Sequence, residues 1–597
     1  MKSMVPSEEY TSRLAAREAA VRQLEARQRR IGTLRLLLVA TVLVLAGCSW
    51  GAQWWSPLWM LAPAAGFICA VCYHGVLRRR HALAGRAVEF YRGGLARLGD
   101  RWAGTGVRGE RFGDIHHVYS ADLDVFGEGS LFELLCAART RMGDETLARW
   151  LLAPAAAAEV LQRQTCVREL RDHLDLRERI RMLGGESGPT LHPGRLLAWA
   201  EEPAVLGEAW IRGAAYLLPA LLMACLVAGH VTGIWSPVAL VLSLEATVLY
   251  RLKERLSGVL FPAERAFDFD GLKTFAGLLL EIERQRFDSP PMRALADAIA
   301  ADGVPASARI GRLATIVMLS EQRMNLMVGW MQLPLLYLLH VAHAAERWRR
   351  AHGRCVRGWL EAVGRFEALS SLAQYSFEHP EDPFPAFVAG PASLRAQGIG
   401  HPLMAQSRCV RNDINLSGSA RVWLISGSNM SGKSTLLRAV GLNVVLAMAG
   451  APVRAQLLEL TPLQVGASIR INDSLREGSS RFYAEITRLR QLKDLSEREP
   501  RLLFLIDEML QGTNSNDRRL GAEGVLGALV EQGGIGLATT HDLALTELGG
   551  LAPGVLRNMH FEDHLENGLM RFDYRLREGV VTKSNGLELM RAIGLRV

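Results

Sequence analysis

Residues 427–435 read Gly-Ser-Asn-Met-Ser-Gly-Lys-Ser-Thr and fit the phosphate-loop pattern G-x-x-x-x-G-K-[ST] at every fixed position. Such a loop works only where a strand runs into it and a helix runs out, because backbone N–H groups and a positive helix end must surround one anion. The flanks meet that demand. Val422-Trp423-Leu424-Ile425 reads as a short buried strand. Ser434 to Met448 reads as a helix, with Leu437, Val440, Val444 and Val445 near helical spacing and Gly450 and Pro452 beyond its end. Gly427, Asn429, Met430, Gly432, Lys433, Ser434 and Thr435 are therefore the expected phosphate-contacting set. Lys433 is expected to reach the β- and γ-phosphates of a nucleotide, and Ser434 to hold Mg²⁺.

Two further motifs follow in order. Leu502-Leu503-Phe504-Leu505-Ile506 is a second apolar strand, and it ends in Asp507-Glu508, about 75 residues past the phosphate loop. An acidic pair at a strand end suits Mg²⁺-dependent hydrolysis: Asp507 holds the metal's hydration shell and Glu508 orients or deprotonates the attacking water. Ile535-Gly536-Leu537-Ala538-Thr539 is a third strand running into Thr540-His541, where a histidine is placed to touch the γ-phosphate. An isolated Asp-Glu is more often a solvated turn, and an isolated His more often structural. Their weight comes from order and position.

With these motifs in place, the chain resembles the MutS family of DNA mismatch-repair ATPases, within the ABC-type ATPase class. Asn429-Met430 inside the phosphate loop is characteristic of that family, which usually has Pro at position 428 and Gly at position 431, where this chain has Ser428 and Ser431. Asp473-Ser474-Leu475-Arg476-Glu477-Gly478-Ser479-Ser480-Arg481-Phe482-Tyr483-Ala484-Glu485 is similar to the family's signature segment. The resemblance implies that Ser480 acts in trans, on the nucleotide of a second subunit. Gly512-Thr513-Asn514-Ser515-Asn516-Asp517 is similar to a loop at the dimer interface. Ala538-Thr539-Thr540-His541 resembles the switch-histidine segment, and Lys583-Ser584-Asn585-Gly586 resembles the closing K-S-Y-G, with Asn for the aromatic. The likeness runs from His401-Pro402 to Val597. Upstream, Leu131-Phe132-Glu133-Leu134-Leu135, Arg141-Met142-Gly143 and Leu147 to Pro154 resemble the opening of the family's helical core, followed by a helix over Glu159 to Leu170. No counterpart of the mismatch-reading N-terminal domain with its Phe-x-Glu wedge is found. The C-terminal dimerisation extension and a fused nuclease domain are not expected past Val597, so mismatch recognition is not carried over.

The N-terminal region reads as membrane. From Leu36 to Leu77 there is no Asp, Glu, Lys or Arg, and these 42 residues suffice for two spans of about 20 each. Gly51 to Ser56 is the expected turn, with Trp50, Trp54, Trp55 and Trp59 clustered about it as an interfacial belt. Arg27, Arg29, Arg30 and Arg35 precede the hairpin and Arg78, Arg79 and Arg80 follow it, which puts both ends in the cytoplasm. A second uncharged stretch, Gly213 to Leu244, precedes Arg251, Lys253 and Arg255; with a turn over Gly229 to Pro237 it makes two arms of about 17 residues, one containing Glu245. The competing reading is a buried helical pair. Met324 to Ala345 reads as a buried lever helix, because an odd span would put Lys433 outside the cell, away from ATP. Leu45-Ala46-Gly47-Cys48 matches a lipoprotein cleavage box, but the leader before it is long for a signal peptide and export would strand an ATPase.

The expected architecture is an α/β P-loop ABC-type ATPase domain at the C-terminus, preceded by an all-α core and lever region and transmembrane helical hairpins. The segments are a basic cytoplasmic N-terminus at 1–35, a transmembrane hairpin at 36–77, a linker at 78–120, and a helical core at 121–400 with a second hairpin at 214–250. The ATPase domain follows at 401–597. Apolar content of 49% and a mean hydropathy of +0.10 fit membrane segments in a chain of 597 residues. Eight cysteines beside a cytoplasmic ATPase are not expected to form a disulfide framework; Cys69-x-x-Cys72 lies inside a span, and no structural metal is expected there or at His116-His117. The net charge of +8 suits DNA or anionic lipid and does not choose between them. The basic run Arg347, Trp348, Arg349, Arg350, Arg354, Arg357 and Arg365 reads first as a solvated helix face and second as a nucleic-acid contact.

The resemblance implies a homodimer that traps ATP and Mg²⁺ in composite sites, with Glu508, His541 and the partner copy's equivalent of Ser480 completing each. The implied localisation is the inner membrane, multi-pass, with the ATPase in the cytoplasm. Double-stranded or branched DNA is one expected partner; the alternative is an ATPase acting on lipid or a membrane protein without DNA. A transporter is the weaker third reading, since few spans make a small pore and only Glu245 marks an intramembrane charge.

Overall fold

The computed structural model describes residues 5–51, 56–183, 191–266, 269–300, 304–322, 329–470, 481–547, 550–566 and 569–581. Ser480 with the rest of 471–480, the Lys583–Gly586 segment, Trp54 and Trp55 lie outside the described residues.

Two long helices, α1 (Pro6–Ala46) and α2 (Leu61–Leu98), form an antiparallel hairpin. Pro6 at the first position and Glu8 and Glu9 in the first turn favour the start of α1. Gly47–Gly51 forms a single π turn at its end. Near the tip, Leu36, Leu37, Leu43, Val44, Leu58, Trp59, Leu61 and Ile68 are each 60% exposed or more. The register is staggered. Glu25 meets His81 at 3.3 Å, and the Arg35 guanidinium stacks over Phe67. Arg27–Arg35 therefore lie beside the uncharged 69–77 stretch of α2. The uncharged part of the first arm, Leu36–Gly51, is about 24 Å long at 1.5 Å per residue, shorter than the expected span. Residues 78–98, expected as linker, continue α2.

The base of this hairpin is buried. The ring of Tyr10 packs on Phe90 and Tyr91, and a side chain at Gly94 would collide with it at 2.4 Å. Tyr10 Oη donates to Glu378 (3.1 Å), and Arg97 donates to both Glu378 oxygens (2.8 and 2.7 Å). Tyr91 Oη and Arg17 both reach Glu178, at 2.6 Å.

The helical body follows: α3 (Leu131–Leu135), α4 (Arg141–Leu152), α5 (Ala157–Arg171), α6 (Leu174–Met182), α7 (Pro193–Glu201), α8 (Ala209–Thr232), α9 (Ser236–Ala266), α10 (Phe269–Arg284), α11 (Pro290–Ile299), α12 (Ala306–Glu321), α13 (Tyr337–His352) and α14 (Val356–Glu378). Helix α5 covers the expected 159–170 helix. The axis is α14, most of whose residues are buried against α4 and α5. Two glycines permit the close approach of α4: a Cβ on Gly364 would lie 2.8 Å from Thr146 Oγ1, and one on Gly143 2.6 Å from Glu367. Helices α8 and α9 form the second hairpin, with a tighter turn than expected, since α8 runs to Thr232 and Gly233 (φ 76°) ends it. Glu245 in α9 is fully buried, and neither carboxylate oxygen has a partner among the described residues. In the third apolar stretch, 323–328 lie outside the described residues, while Leu339, Ala342, Ala345 and Trp348 on α13 are buried. The basic run on α13 and α14 forms the expected solvated face: Arg347, Arg350, Arg354, Arg357 and Arg365 are exposed. Arg349 departs from it, being buried and bonded to Glu202, while Arg350 pairs with Glu346, and Arg357 with Glu201 at the surface.

Beyond α14 the chain builds two sheets. Strands β1 (Ala386–Phe387), β2 (Leu394–Ile399), β3 (Asn412–Leu416) and β5 (Leu457–Leu460) pair in the order β1-β5-β2-β3. The larger sheet holds β4 (Val422–Ser426), β6 (Leu463–Ser468), β7 (Arg501–Ile506), β8 (Ile535–Thr540), β9 (Leu556–Glu566) and β10 (Leu569–Glu578) in the order β10-β9-β4-β8-β7-β6. All its pairings are parallel except β10 with β9. The central parallel strands β4, β7 and β8 read as mainly apolar runs because both faces are covered; β4, β6 and β8 are buried throughout. Helices α15 (Lys433–Ala449), α16 (Arg481–Ser496) and α17 (Ser515–Glu531) complete this part.

Burial pushes the Glu367 carboxyl up to about 7, although the Arg139 amide (2.7 Å) and Thr140 hydroxyl favour its charged form. The folded chain thus keeps a proton that the unfolded chain sheds in the ordinary carboxylate range. This contribution to stability is full at low pH and is lost as pH rises through about 7. Glu367→Gln is expected to flatten that loss, by up to about 1.4 kcal/mol per pH unit. Thermal midpoints of both proteins from pH 5 to 8 check it; parallel profiles would contradict it.

Candidate functional site

The three motifs lie at the carboxyl ends of neighbouring parallel strands, the end at which open α/β sheets bind ligands. The phosphate loop leaves β4, Thr540-His541 leaves β8, and Asp507-Glu508 leaves β7. The registers pair Ile425 with Thr539 and Ile506 with Ala538, so Thr539 stands between the loop and the acidic pair.

Gly432 sits at φ 103° immediately before α15, a region open to glycine and costly for other residues. Met430 takes φ 70° at the loop's outer edge and is 86% exposed. The buried Lys433 ammonium donates to the carbonyls of Gly427 and Ser428, both at 2.8 Å. The loop thus closes around its own lysine. Burial draws this ammonium below the usual lysine range, and the Glu508 and Asp507 carboxylates pull it back up. The Ser428 and Ser431 hydroxyls are buried without a partner among the described residues, and neither residue lines the cavity.

A cavity of about 510 Å³ opens over the loop. Asn429, Met430, Gly432, Lys433, Ser434, Thr435 and Glu508 line one side. Ile399, His401, Met404, Cys409, Val410, Phe561 and Tyr574 line the other. The second group escaped the sequence analysis. His401 marked the start of the resemblance without a role, and Phe561 and Tyr574 arrive from a hairpin more than a hundred residues away. Tyr574 lies at a break in the β9–β10 register between Phe572 and Leu576, with φ 55°. Such bulges re-aim side chains, and this one turns the ring onto the loop, where a Cβ on Gly432 would meet it at 3.1 Å. Burial, then the nearby Arg438, lowers His401 to about 4, so the imidazole facing the cavity is neutral near pH 7.

Thr539 organises the acidic pair. Its hydroxyl donates to Asp507 Oδ1 and accepts from the Glu508 amide at 2.8 Å. Glu508 and Leu510 both hold left-handed backbone, at φ 50° and 55°, strain that the surroundings must enforce. Glu485 does part of this, accepting from the Leu510 amide at 2.6 Å, and Arg518 donates to the Leu510 and Thr513 carbonyls. The Gln511 amide bridges Glu508 and His541 Nδ1 (3.3 Å). Ser434 lines the cavity, whereas Asp507 and the exposed His541 do not.

This arrangement defines an α/β domain with its reactive side chains gathered at one sheet end. Residues 423–596 match the family described as MutS domain V. The chain is 32% identical over 259 residues to "DNA mismatch repair protein MutS 2" of Halobacterium salinarum, covering 43% of this chain and 28% of the relative. It is 36% identical over 203 residues to "Endonuclease MutS2" of Thermus thermophilus, covering 33% and 25%. It is 35% identical over 208 residues to "DNA mismatch repair protein MutS" of Shouchella clausii, covering 33% and 23%. These matches support MutS family membership, and the chain spans about a quarter of the length of the relatives it matches.

Thr539→Val keeps the shape and removes both hydrogen bonds. Loss of a buried hydroxyl with two partners costs about 1–3 kcal/mol. The variant is expected to keep nucleotide affinity and lose turnover, since it frees Glu508 but not Lys433. Comparing ATP binding with steady-state hydrolysis checks this; equal loss of both would contradict it.

Proposed function

We propose that this chain is a membrane-anchored, MutS-like ATPase that hydrolyses ATP at sites shared between two copies and couples the cycle to DNA. The observation that carries the reading is the Lys433 ammonium, buried at the mouth of a 510 Å³ cavity and bonded, among the described residues, to two loop carbonyls. A cation so held is poised to exchange those carbonyls for phosphate oxygens.

The residues present fit a Mg²⁺–nucleotide. Ser434 would hold the metal directly and Asp507 through its hydration shell; the ion would neutralise phosphate charge. Asn429, Met430, Gly432, Lys433, Ser434 and Thr435, which line the cavity, would cradle the phosphates together with Gly427 at the start of the loop, and Tyr574, Phe561 and Val410 would offer an apolar wall to a base. Glu508, fixed by Thr539 and Gln511, accepts the proton of the attacking water. His541 reports on the γ-phosphate through Gln511. Ser480 acts on the partner copy's nucleotide, so hydrolysis requires a dimer.

Membrane anchoring draws on three helical segments long and apolar enough to cross a bilayer, Pro6–Ser49, Leu58–Leu98 and Ala209–Thr232. A second reading is an ATPase working on lipid or a membrane protein without DNA; it draws on the apolar side chains exposed near the hairpin tip, Leu36, Leu37, Leu43 and Val44.

Turnover of the detergent-solubilised protein and of Glu508→Gln, with and without branched DNA at two salt concentrations, tests the proposal. Stimulation that fades with salt, and hydrolysis lost in the variant, are expected. Glu508-dependent turnover indifferent to DNA would select the second reading. Flotation with vesicles is expected for the full chain and weakened when 36–77 is deleted.

A further inference from the structure

The segment 114–124 lies along the free edge of β6. Ala467 donates its amide to Val118 O at 2.8 Å, and Arg488 on α16 donates to the carbonyls of His117 (2.9 Å) and Ile115 (3.2 Å). Asp122 is only 2% exposed, and its Oδ1 accepts from the amides of Ile469 (3.0 Å) and Arg470 (2.6 Å), the two residues that follow β6. Asp124 grips Arg470 through both oxygens and pairs with Arg438 of α15 at 3.3 Å. Its own backbone is left-handed, φ 53°. One bond carries this grip to the acidic pair: the Asp507 amide donates to Ser468 O, the last residue of β6, at 2.9 Å.

At its other end the segment is rooted in the helical body. Leu131 and Phe132 donate their amides to the carbonyls of Asp124 and Val125 (3.0 and 2.9 Å), joining it to α3, which packs on α14. Two adjacent carboxylates therefore hold, from outside the α/β domain, both the helix that carries Lys433 and the strand end on which Asp507 hangs.

We propose that Asp122 and Asp124 are positioning residues for hydrolysis. They fix β6 and α15 relative to each other, set Asp507-Glu508 against Lys433, and transmit the placement of the helical body to the acidic pair. The inference rests on the ATPase reading above. A strap that merely covered a sheet edge would alter stability alone.

The test compares Asp122→Ala, Asp122→Asn and Asp124→Asn with wild type, as full-length protein in detergent. The readouts are kcat, KM, affinity for a fluorescent ATP analogue without turnover, and thermal midpoint. Asn at 122 keeps an oxygen acceptor for both amides, and Asn at 124 tolerates the left-handed backbone while removing the charge. Asp122→Ala is expected to lower kcat about tenfold or more, because small misplacements of reacting groups are that costly, with analogue affinity held within about threefold. Asp122→Asn is expected to restore most of the loss. Asp124→Asn, which removes partly exposed pairs, is expected to keep the wild-type thermal midpoint within a few degrees (~3 °C) and to lower kcat at least about threefold at unchanged KM. Wild-type kcat in Asp124→Asn, or in a folded Asp122→Ala, overturns the inference. A wild type that hydrolyses nothing overturns the ATPase reading instead.

Discussion

Glu378 is the carboxylate on which the two halves of the molecule meet. It is the last residue of α14, is 3% exposed, and receives Tyr10 from α1 and a two-pronged Arg97 from α2. A buried carboxylate without partners costs several kcal/mol, so the helical hairpin and the central helix are obliged to keep each other's company. The Arg177 guanidinium over Phe377 and the Tyr91–Glu178 bond enclose the same joint. Burial pushes the Tyr10 hydroxyl far above the usual phenol range, which keeps it a donor.

The chain continues from this joint directly into the α/β domain. Asp382 accepts from Tyr375 (3.2 Å) and pairs with the buried Arg454 (3.4 Å), whose backbone amide donates to Asn443 on α15 (2.6 Å). Asn443 in turn holds the Gly400 carbonyl beside His401 at the cavity rim. The backbone from Glu378 to Asp382 therefore joins the polar contacts at the base of the apolar hairpin to those that hold the helix beginning at Lys433.

The parts of this fold that were legible in the sequence are those where local rules and tertiary packing agree. β4, β7 and β8 are apolar runs because they are covered on both faces, and the glycines of the phosphate loop mark backbone that other residues resist. Parts that depend on distant partners were not legible. Tyr574 reaches the cavity through a bulge that carries no sequence signature, and His401 through a buried turn. Residues 78–120 have linker-like stretches, yet 78–98 are helix and 114–124 bind a sheet edge through backbone hydrogen bonds that composition does not encode. The hairpin's apolar length was visible, but its stagger was not, because the register is fixed by the aromatic and ionic joint at its base. Arg349 reads as surface charge in the sequence; it is buried because Glu202, on another part of the chain, lies beside it.

The central claim is that the cage around Lys433 is a nucleotide-phosphate site. Titrating Mg-ATP into the detergent-solubilised full chain by calorimetry, with Lys433→Ala in parallel, tests it most directly. The account predicts one ATP per chain for the wild type and a loss of affinity of at least about a hundredfold in the variant, as a buried charge-assisted contact of about 3 kcal/mol would give. Equal affinities, or no binding by the wild type, would contradict it.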